Sequence, residues 1–395
     1  MRAMILAAGY GTRLWPLTID RAKPAIPFMG RPLVGYVAEY LARYGFREIV
    51  VNLHHRPESV RAALGDGTRF GVRFHYVNEP TILGTGGALD NARTLLEGGT
   101  FVVVNGKIAT DINLDAALET HRRTRALATL VLRANASRER YSIVRVSGGL
   151  VTGFGGYPAS DKAGGAASTA QKEEAQGSVE VRGVEGGSAE ERELGAAVRR
   201  EFGSAAQGEF KDEPQSEEVK DEPQSEAERR EIDGDSVPLM FTGIQVLDPR
   251  IFEFIPRGVF SHTVTDTYIP AIARGERVAA HLAGGSWYEL STVRRYLETS
   301  VALLKREGRE VEVGEGSFVE EGAEVTESVL WEGVRVEAGA RVRRAVLGAG
   351  VRVASGEVVE NAAVVRAELA RESERPPKGL EGELRGSNFV APIPE

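Results

Sequence analysis

The chain has no cysteine among its 395 residues. Disulfides, thiolate metal sites and a cysteine nucleophile are therefore excluded. It also lacks a basic surplus: the formal net charge is -8. A phosphate-backbone partner needs a basic footprint, so nucleic acid is not an expected partner. A small phosphorylated ligand held by a few local cations is still allowed. Long apolar runs are missing too. The start, MRAMILAAGYGTR, is apolar only briefly and turns glycine-rich at once. That is too short for a signal-peptide core, and no later stretch is long enough to span a bilayer. No membrane partner is expected, and a cytoplasmic protein is.

What is present is ordinary for a globular chain: 42% hydrophobic and 27% charged residues. The length suits about two to three domains. Residues 1–154 alternate short apolar runs with helical patterns. Strands are expected at 3–7, 48–53, 72–77, 101–104 and 128–133, with helices at 33–44, 57–64, 86–96 and 114–123. Such alternation predicts an α/β fold, a Rossmann-like, mostly parallel mixed sheet with helices on both faces. The pattern resumes over 237–307, with strands at 241–247 and 278–282 and helices at 264–273 and 293–305.

Residues 155–236 differ. They are small, polar and glycine-rich, and KDEPQSE occurs at 211–217 and again at 220–226. Such composition cannot offset its ordering entropy by apolar burial, so an acidic, disordered insertion is expected. A short helix at 190–202 and a partner-binding role for the repeat are the alternatives to a solvated spacer.

Over 308–366, Val313, Val319 and Val325 recur six apart, as do Val336 and Val342. Aliphatic residues every six, with turn formers between, mark a hexapeptide left-handed β-helix of about three coils. Valine-rich hairpins are the plain alternative, and the rhythm wobbles around 328–333. A β-helix this short needs support from the first domain or another subunit, so a homo-oligomer is expected. Residues 367–395 form a tail.

The most specific stretch is LAAGYGTRLWPLTIDRAKPAIP, beginning at Leu6. A strand runs into Gly9-Tyr10-Gly11-Thr12-Arg13. Glycines let the backbone approach a phosphate, and Arg13 and Lys23 add cations. It is neither a Walker loop nor the Rossmann GxGxxG. The string resembles the signature of the sugar-1-phosphate nucleotidyltransferases, LAAGxGTRLxPLT followed by KPxxP, with every position matched through Pro27. The likeness continues at Leu83-Gly84-Thr85-Gly86-Gly87-Ala88, at Phe241-Thr242-Gly243-Ile244, and at Trp287, Ser291-Thr292 and Tyr296-Leu297. The terminal repeats resemble the branch with mannose-1-phosphate guanylyltransferases.

The resemblance implies an enzyme that joins an NTP to a sugar 1-phosphate and releases pyrophosphate. GTP and mannose 1-phosphate are the first guess, from the branch alone. It implies that Leu6, Ala7, Ala8, Gly9, Gly11, Thr12, Arg13, Glu79, Gly84, Thr85 and Gly86 receive the nucleotide. Asn105, Gly106, Thr242 and Gly243 would meet the sugar phosphate. Arg13 would hold the leaving phosphates and Lys23 the α-phosphate, and Mg²⁺ would bridge the phosphates between two carboxylates.

Three places depart from that pattern. The family has Asn-Gly-Asp, with the aspartate on the metal, where this chain has Asn105-Gly106-Lys107. Glu289 stands where the second metal aspartate is expected. An EKP segment is missing after Phe154. An ammonium has no acceptor atom and cannot ligate Mg²⁺. Three accounts stay open. Lys107 does part of the metal's electrostatic work, as a third catalytic candidate beside Arg13 and Lys23. Asp111 substitutes as the carboxylate, with Glu289 its partner. Or the site is degenerate and the protein is a non-catalytic sugar-nucleotide sensor. For Lys107 the plain reading is a solvated lysine at a strand end; for Asp111, with Thr110, it is the cap of the following helix. A hexapeptide acyltransferase is the weakest idea, since no histidine follows His281. His54 and His55, adjacent on extended chain, would point apart, and Trp15 and Trp331 read as packing residues.

Overall fold

The computed structural model describes residues 1–137, 139, 141–156 and 237–394. The insertion expected at 155–236, apart from its first two residues, and the short helix within it lie outside the described residues.

Among the described residues, a nine-stranded mixed sheet forms the first domain. Its strands are β1 (Arg2–Leu6), β2 (Glu48–Leu53), β3 (Arg73–Asn78), β4 (Phe101–Asn105), β5 (Ala128–Ala134), β6 (Ile143–Ser147), β7 (Leu150–Phe154), β8 (Leu239–Leu247) and β9 (Val278–Leu282). The order across the sheet is β3-β2-β1-β4-β8-β5-β9-β7-β6. β1 to β4 run parallel, and β8 lies antiparallel between β4 and β5. The apolar runs of β1, β2 and β4 are buried because both faces are covered. Helix α1 (Leu33–Arg43), α2 (Pro57–Leu64) and α4 (Leu114–Thr124) cover one face, and α3 (Gly84–Asn91) packs on the other. The chain leaves β1 on one side and β4 on the other, a topological switch point where open α/β sheets place ligands.

Several expectations need correction. The helix expected over 86–96 breaks at Ala92 into α3 and a turn at Arg93–Leu96. The helix expected over 264–273 begins as a π-helical turn, Val264–Tyr268. The cap of α4 is Asn113, whose side chain accepts from the Ala116 amide at 3.2 Å, rather than Asp111 or Thr110. A two-stranded ribbon, Ile108–Thr110 with Trp287–Glu289, was not foreseen because each strand is only three residues long.

The repeats form a left-handed β-helix, but its coil is 17 residues rather than three sixes. Val311 pairs with Ser328, Phe318 with Arg335 and Glu324 with Arg341, each 17 residues on. The missing residue falls at one corner, where Glu327, Arg344 and Asn361 hold positive φ in place of glycine. The wobble after 326 is that shortened corner. The last coil does not end bare: Ala362–Arg366 pairs antiparallel with Asn388–Pro392 from the tail, which closes that edge.

Support for the β-helix comes from the first domain. Val329, Trp331, Val346 and Val365 share a core with Leu14, Trp15, Leu17 and Phe28 and with α5 (Val293–Arg306). Trp15 meets Phe389 edge-on at 5.2 Å. Both tryptophans are packing residues. Among the described residues, no helix is long and apolar enough to cross a membrane.

Candidate active site

The glycine loop after β1 is held from three sides. The Ala7 amide donates to Asn52 Oδ1 at 2.8 Å, and the Gly106 amide to the Leu6 carbonyl at 2.9 Å. A Cβ on Gly11 would lie 2.9 Å from Lys23 Cβ and 3.0 Å from Thr18 Cγ2, so the loop closes directly over Lys23. Gly9 has open space around it, and Arg13 is exposed on a one-turn 3₁₀ helix, Thr12–Leu14.

Glu79 is buried with both oxygens engaged. Oε1 accepts from Asn52 Nδ2 at 2.6 Å and Oε2 from the Leu83 amide at 2.9 Å. The structure thus places Glu79 as a clamp between the loop after β1 and the 83–88 loop, not against open space. Asn52, the middle of that clamp, was missed. Its only sequence signal is a polar residue inside an otherwise apolar strand.

The 83–88 loop has its own reason for glycine. A Cβ at Gly84 would stand 2.4 Å from the Ser261 carbonyl, and the Gly86 amide donates to that same oxygen at 2.8 Å. The Thr85 hydroxyl accepts from the Thr263 amide at 2.9 Å. These groups fix the loop to 261–263, so the Gly86 N–H is already spent. Ala8 is buried, whereas Gly9, Gly11 and Thr12 are at least partly exposed.

Asn105 and Gly106 end β4 beside this loop. Gly106 is wedged against Ile5 and Leu6, where a Cβ would be 3.0 Å from each. Gly243 takes φ 84° at a bulge in β8, and a Cβ there would collide with the Asn105 side chain. The Thr242 hydroxyl donates to the Val131 carbonyl at 2.8 Å, and its carbonyl accepts from Trp287 Nε1 at 3.0 Å. Asn105, Gly106 and Gly243 therefore meet in one corner, while Thr242 knits the bulge.

Lys107 follows the Asn-Gly turn, and its Nζ donates to Glu289 Oε1. The ribbon register explains the meeting, because Glu289 pairs with Ile108. Glu289 Oε2 accepts from the Tyr141 hydroxyl at 3.0 Å, with Arg295 Nη1 4.0 Å away. Arg295 in turn donates to the Tyr141 oxygen and pairs with Glu139. Sequence reasoning missed Tyr141, Arg295 and Glu139, which reach the site from a β5–β6 connection and from α5.

Asp111 does not join this group. Its Oδ1 accepts from the Ser286 amide at 2.6 Å. It lies three residues beyond Ile108, about 10 Å along the ribbon from the level of Glu289. The two metal candidates are not brought together. His54 and His55 also diverge: His54 Nδ1 meets the Glu79 carbonyl at 2.8 Å and His55 Nε2 the Thr18 carbonyl at 3.4 Å.

Electrostatics follow from burial. Burial alone would raise the Glu289 carboxyl, but the Lys107 and Lys23 ammoniums beside it hold it down at about 2. Burial, reinforced by Lys107, pushes the Lys23 ammonium well below its ordinary 10.5. Among the described residues the Lys23 ammonium has no hydrogen-bond or ion-pair partner. Burial also pushes the Tyr141 phenol up, so it stays an O–H donor to Glu289. With Lys23 protonated, Lys23, Lys107 and Arg295 face Glu289 and Glu139, a local excess of positive charge that an anion would neutralise.

The donor set does not suit a resident divalent ion. Among the described residues, Glu289 carries an ammonium on one oxygen and a phenol on the other, and Glu139 is paired with Arg295. Among the described residues, no group of three or more His, Asp or Glu side chains could hold a metal. A divalent ion here would share Glu289 with Lys107 at like-charge distance.

Fold and charge together define a doubly wound α/β protein with a cluster of cationic side chains at its switch point. A nucleotidyl transferase family model matches residues 2–306, and a "GlmU-like, C-terminal hexapeptide" model matches residues 307–371. The chain belongs to the nucleotidyl transferase family. An N-acetylmuramate alpha-1-phosphate uridylyltransferase of Neisseria meningitidis serogroup B is 45% identical over 30% of this chain and 52% of its own length. A mannose-1-phosphate guanylyltransferase of Mycobacterium tuberculosis is 35% identical over 33% of this chain and 36% of its own. The chain thus spans about half the length, or less, of the curated relatives it matches. A Bacillus anthracis protein assigned as a glucose-1-phosphate thymidylyltransferase, solved with sucrose, superposes with a TM-score of 0.51 at 18% identity, covering 77% of this chain and 94% of that one. At that identity the likeness shows the fold alone.

Proposed function

We propose that the protein transfers a nucleotidyl group from an NTP to a hexose 1-phosphate. The observation that carries this reading is Lys23: a nearly buried lysine packed against a glycine loop, with no hydrogen-bond or ion-pair partner among the described residues, repelled by Lys107, Arg13 and Arg295 and offset only by the nearby Glu289 carboxylate. Desolvation makes such a cation costly until an anion arrives. A phosphate oxygen of the sugar phosphate attacks the α-phosphorus in line. The new P–O bond forms as the bond to the β-phosphate oxygen breaks, and pyrophosphate leaves with its electron pair. No covalent enzyme intermediate is needed, so the protein's work is positioning and charge stabilisation. Lys23 meets the α-phosphate, and exposed Arg13 meets the leaving phosphates. Asn105, Gly106 and Gly243 frame the corner offered to the sugar phosphate, and the loop after β1 takes the nucleotide.

GTP and mannose 1-phosphate are the first pair to test. Support comes from relatives named mannose-1-phosphate guanylyltransferase, including those of Mycobacterium tuberculosis and Dictyostelium discoideum. The Neisseria relative makes UTP with N-acetylmuramate 1-phosphate the competing pair. Comparing kcat/KM over four NTPs and a panel of sugar 1-phosphates decides: a preference for GTP and mannose 1-phosphate is expected, and a higher value for another pair replaces the assignment. A second reading, a sensor that binds without turnover, is favoured by the Lys107–Glu289 pair; NDP-sugar binding with no product from any pair would select it. Self-association through the open first coil, where Val313 and Phe318 are exposed, belongs to the same proposal and is read by light scattering on the full chain.

Binding should take up a proton. In the free protein Lys23 is pushed below 10.5, and a bound phosphate restores its charged form. Above the free-protein pKa, triphosphate affinity therefore falls as pH rises, by up to about tenfold per pH unit. Titration calorimetry in buffers of different ionisation heat reads the uptake directly. Proton release, or none at any pH, would contradict the role given to Lys23.

A further inference from the structure

We infer that Lys107 is a built-in cation that takes the place of a protein-held divalent metal, so the site works on the metal-free triphosphate. This rests on the proposed nucleotidyl transfer and deepens it. Three observations carry it. Lys107 stands at the end of β4, where the Gly106 turn is wedged against Ile5 and Leu6 beside the phosphate loop. Its ammonium is fixed on Glu289, a nearly buried carboxylate whose other oxygen is already held by Tyr141. Asp111, the one nearby carboxylate that sequence reasoning offered as a substitute, is bound to the Ser286 amide away from this point.

The arrangement has the parts of a metal site with one exchanged. A pair of facing carboxylates would present two negative charges to a divalent ion. Here one of the two is a cation, and the pair is neutral before any ion binds. Lys23 acts on Glu289 as a second nearby cation, and Arg295 Nη1 lies 4.0 Å from its other oxygen. A divalent ion would have to share Glu289 with the Lys107 ammonium, while Glu139 is already paired with Arg295. A phosphate oxygen would meet a preorganised ammonium, oriented by Glu289 and lacking the rotational freedom of a solvent-exposed lysine. Glu289 is thus a positioning residue for Lys107 rather than a ligand. Replacing Lys107 by aspartate would create the second carboxylate and should convert the site into a metal-binding one.

The test uses the full chain in a metal-chelating buffer and in excess Mg²⁺. Wild-type protein should bind a non-hydrolysable NTP analogue in chelator within about threefold of its affinity in Mg²⁺. It should also keep turnover in chelator. Mn²⁺ titrated alone, followed by electron paramagnetic resonance, should show no tight protein-bound ion. Lys107→Asp should gain one bound Mn²⁺ and lose analogue binding by tenfold or more in chelator, with recovery on adding metal. If that variant does not fold, Lys107→Gln serves: it removes the charge and should lower analogue affinity in chelator by tenfold or more. Wild-type binding or turnover that collapses in chelator, or a tight Mn²⁺ site in the wild type, would overturn the inference. Metal-independent analogue binding without turnover would leave Lys107 in its role and refute the transferase reading alone. Failure to bind the analogue under either condition would refute both.

Discussion

Lys23→Met should make the protein more stable and about 10²–10³-fold poorer in kcat/KM. Both signs come from one placement. Lys23 lies in a short 3₁₀ turn with Gly11 packed on its Cβ, and burial disfavours its charged form. Methionine keeps the unbranched shape and removes the desolvated ammonium, so the variant loses a cost and little packing. In turnover the same ammonium faces charge developing on the α-phosphate, where loss of one preorganised group typically costs that many-fold. Urea melts and steady-state kinetics on the same preparation separate the effects. A drop in stability with unchanged kinetics would make Lys23 an ordinary structural lysine. The expected combination is a local trade of stability for function.

Trp331→Ala should cost about 3–5 kcal/mol of stability, the range for removing a large aromatic from a core. Trp331 is almost wholly buried, with its Nε1 donating to the Tyr296 hydroxyl at 3.0 Å. The Arg21 guanidinium lies over its ring, 4.7 Å from the centroid, and bonds Glu332 at 2.6 Å. Tyr296 belongs to α5, and Arg21 lies two residues before Lys23. One side chain therefore joins the β-helix, the last helix of the sheet domain and the segment that carries the buried lysine. The cavity should loosen all three, so nucleotide affinity should fall along with stability. Calorimetric unfolding should change from one transition to two as the domains uncouple. Trp331→Phe, which fills most of the space but drops the hydrogen bond, should fall between. A variant as stable as wild type would show that this core does not join the domains.

Much of this molecule was legible before its structure. The strands of the sheet domain announce themselves as apolar runs, because burial on both faces demands them. Boundaries at Glu48–Leu53, Pro57–Leu64 and Val278–Leu282 agree with expectation to the residue. The hexad rhythm identified the β-helix, yet it hid the 17-residue coil, since a one-residue deletion at a corner changes spacing without changing composition. The hairpin β6–β7 was not among the expected strands, its strands being short and partly exposed. On the glycine loop, the need for glycine was legible at Gly11, which holds φ 65° and packs against Lys23. Asn52, Tyr141, Arg295 and Glu139 were not. They act through contacts between segments far apart in sequence, such as Tyr141 with Glu289 across 148 residues. No local spacing encodes such a pair. The roles of Glu79 and the 84–87 glycines were likewise hidden, because the Leu83 amide and the Ser261 carbonyl become their partners only when the sheet is assembled.

The most direct single measurement is phosphorus NMR on the folded full chain with GTP and mannose 1-phosphate, then with the other pairs. The account predicts that resonances of the triphosphate and sugar phosphate decline together. A nucleoside-diphosphate sugar and pyrophosphate should grow in equal amounts with at least one pair. Hydrolysis of the triphosphate without a sugar nucleotide, or unchanged spectra for every pair, would contradict it.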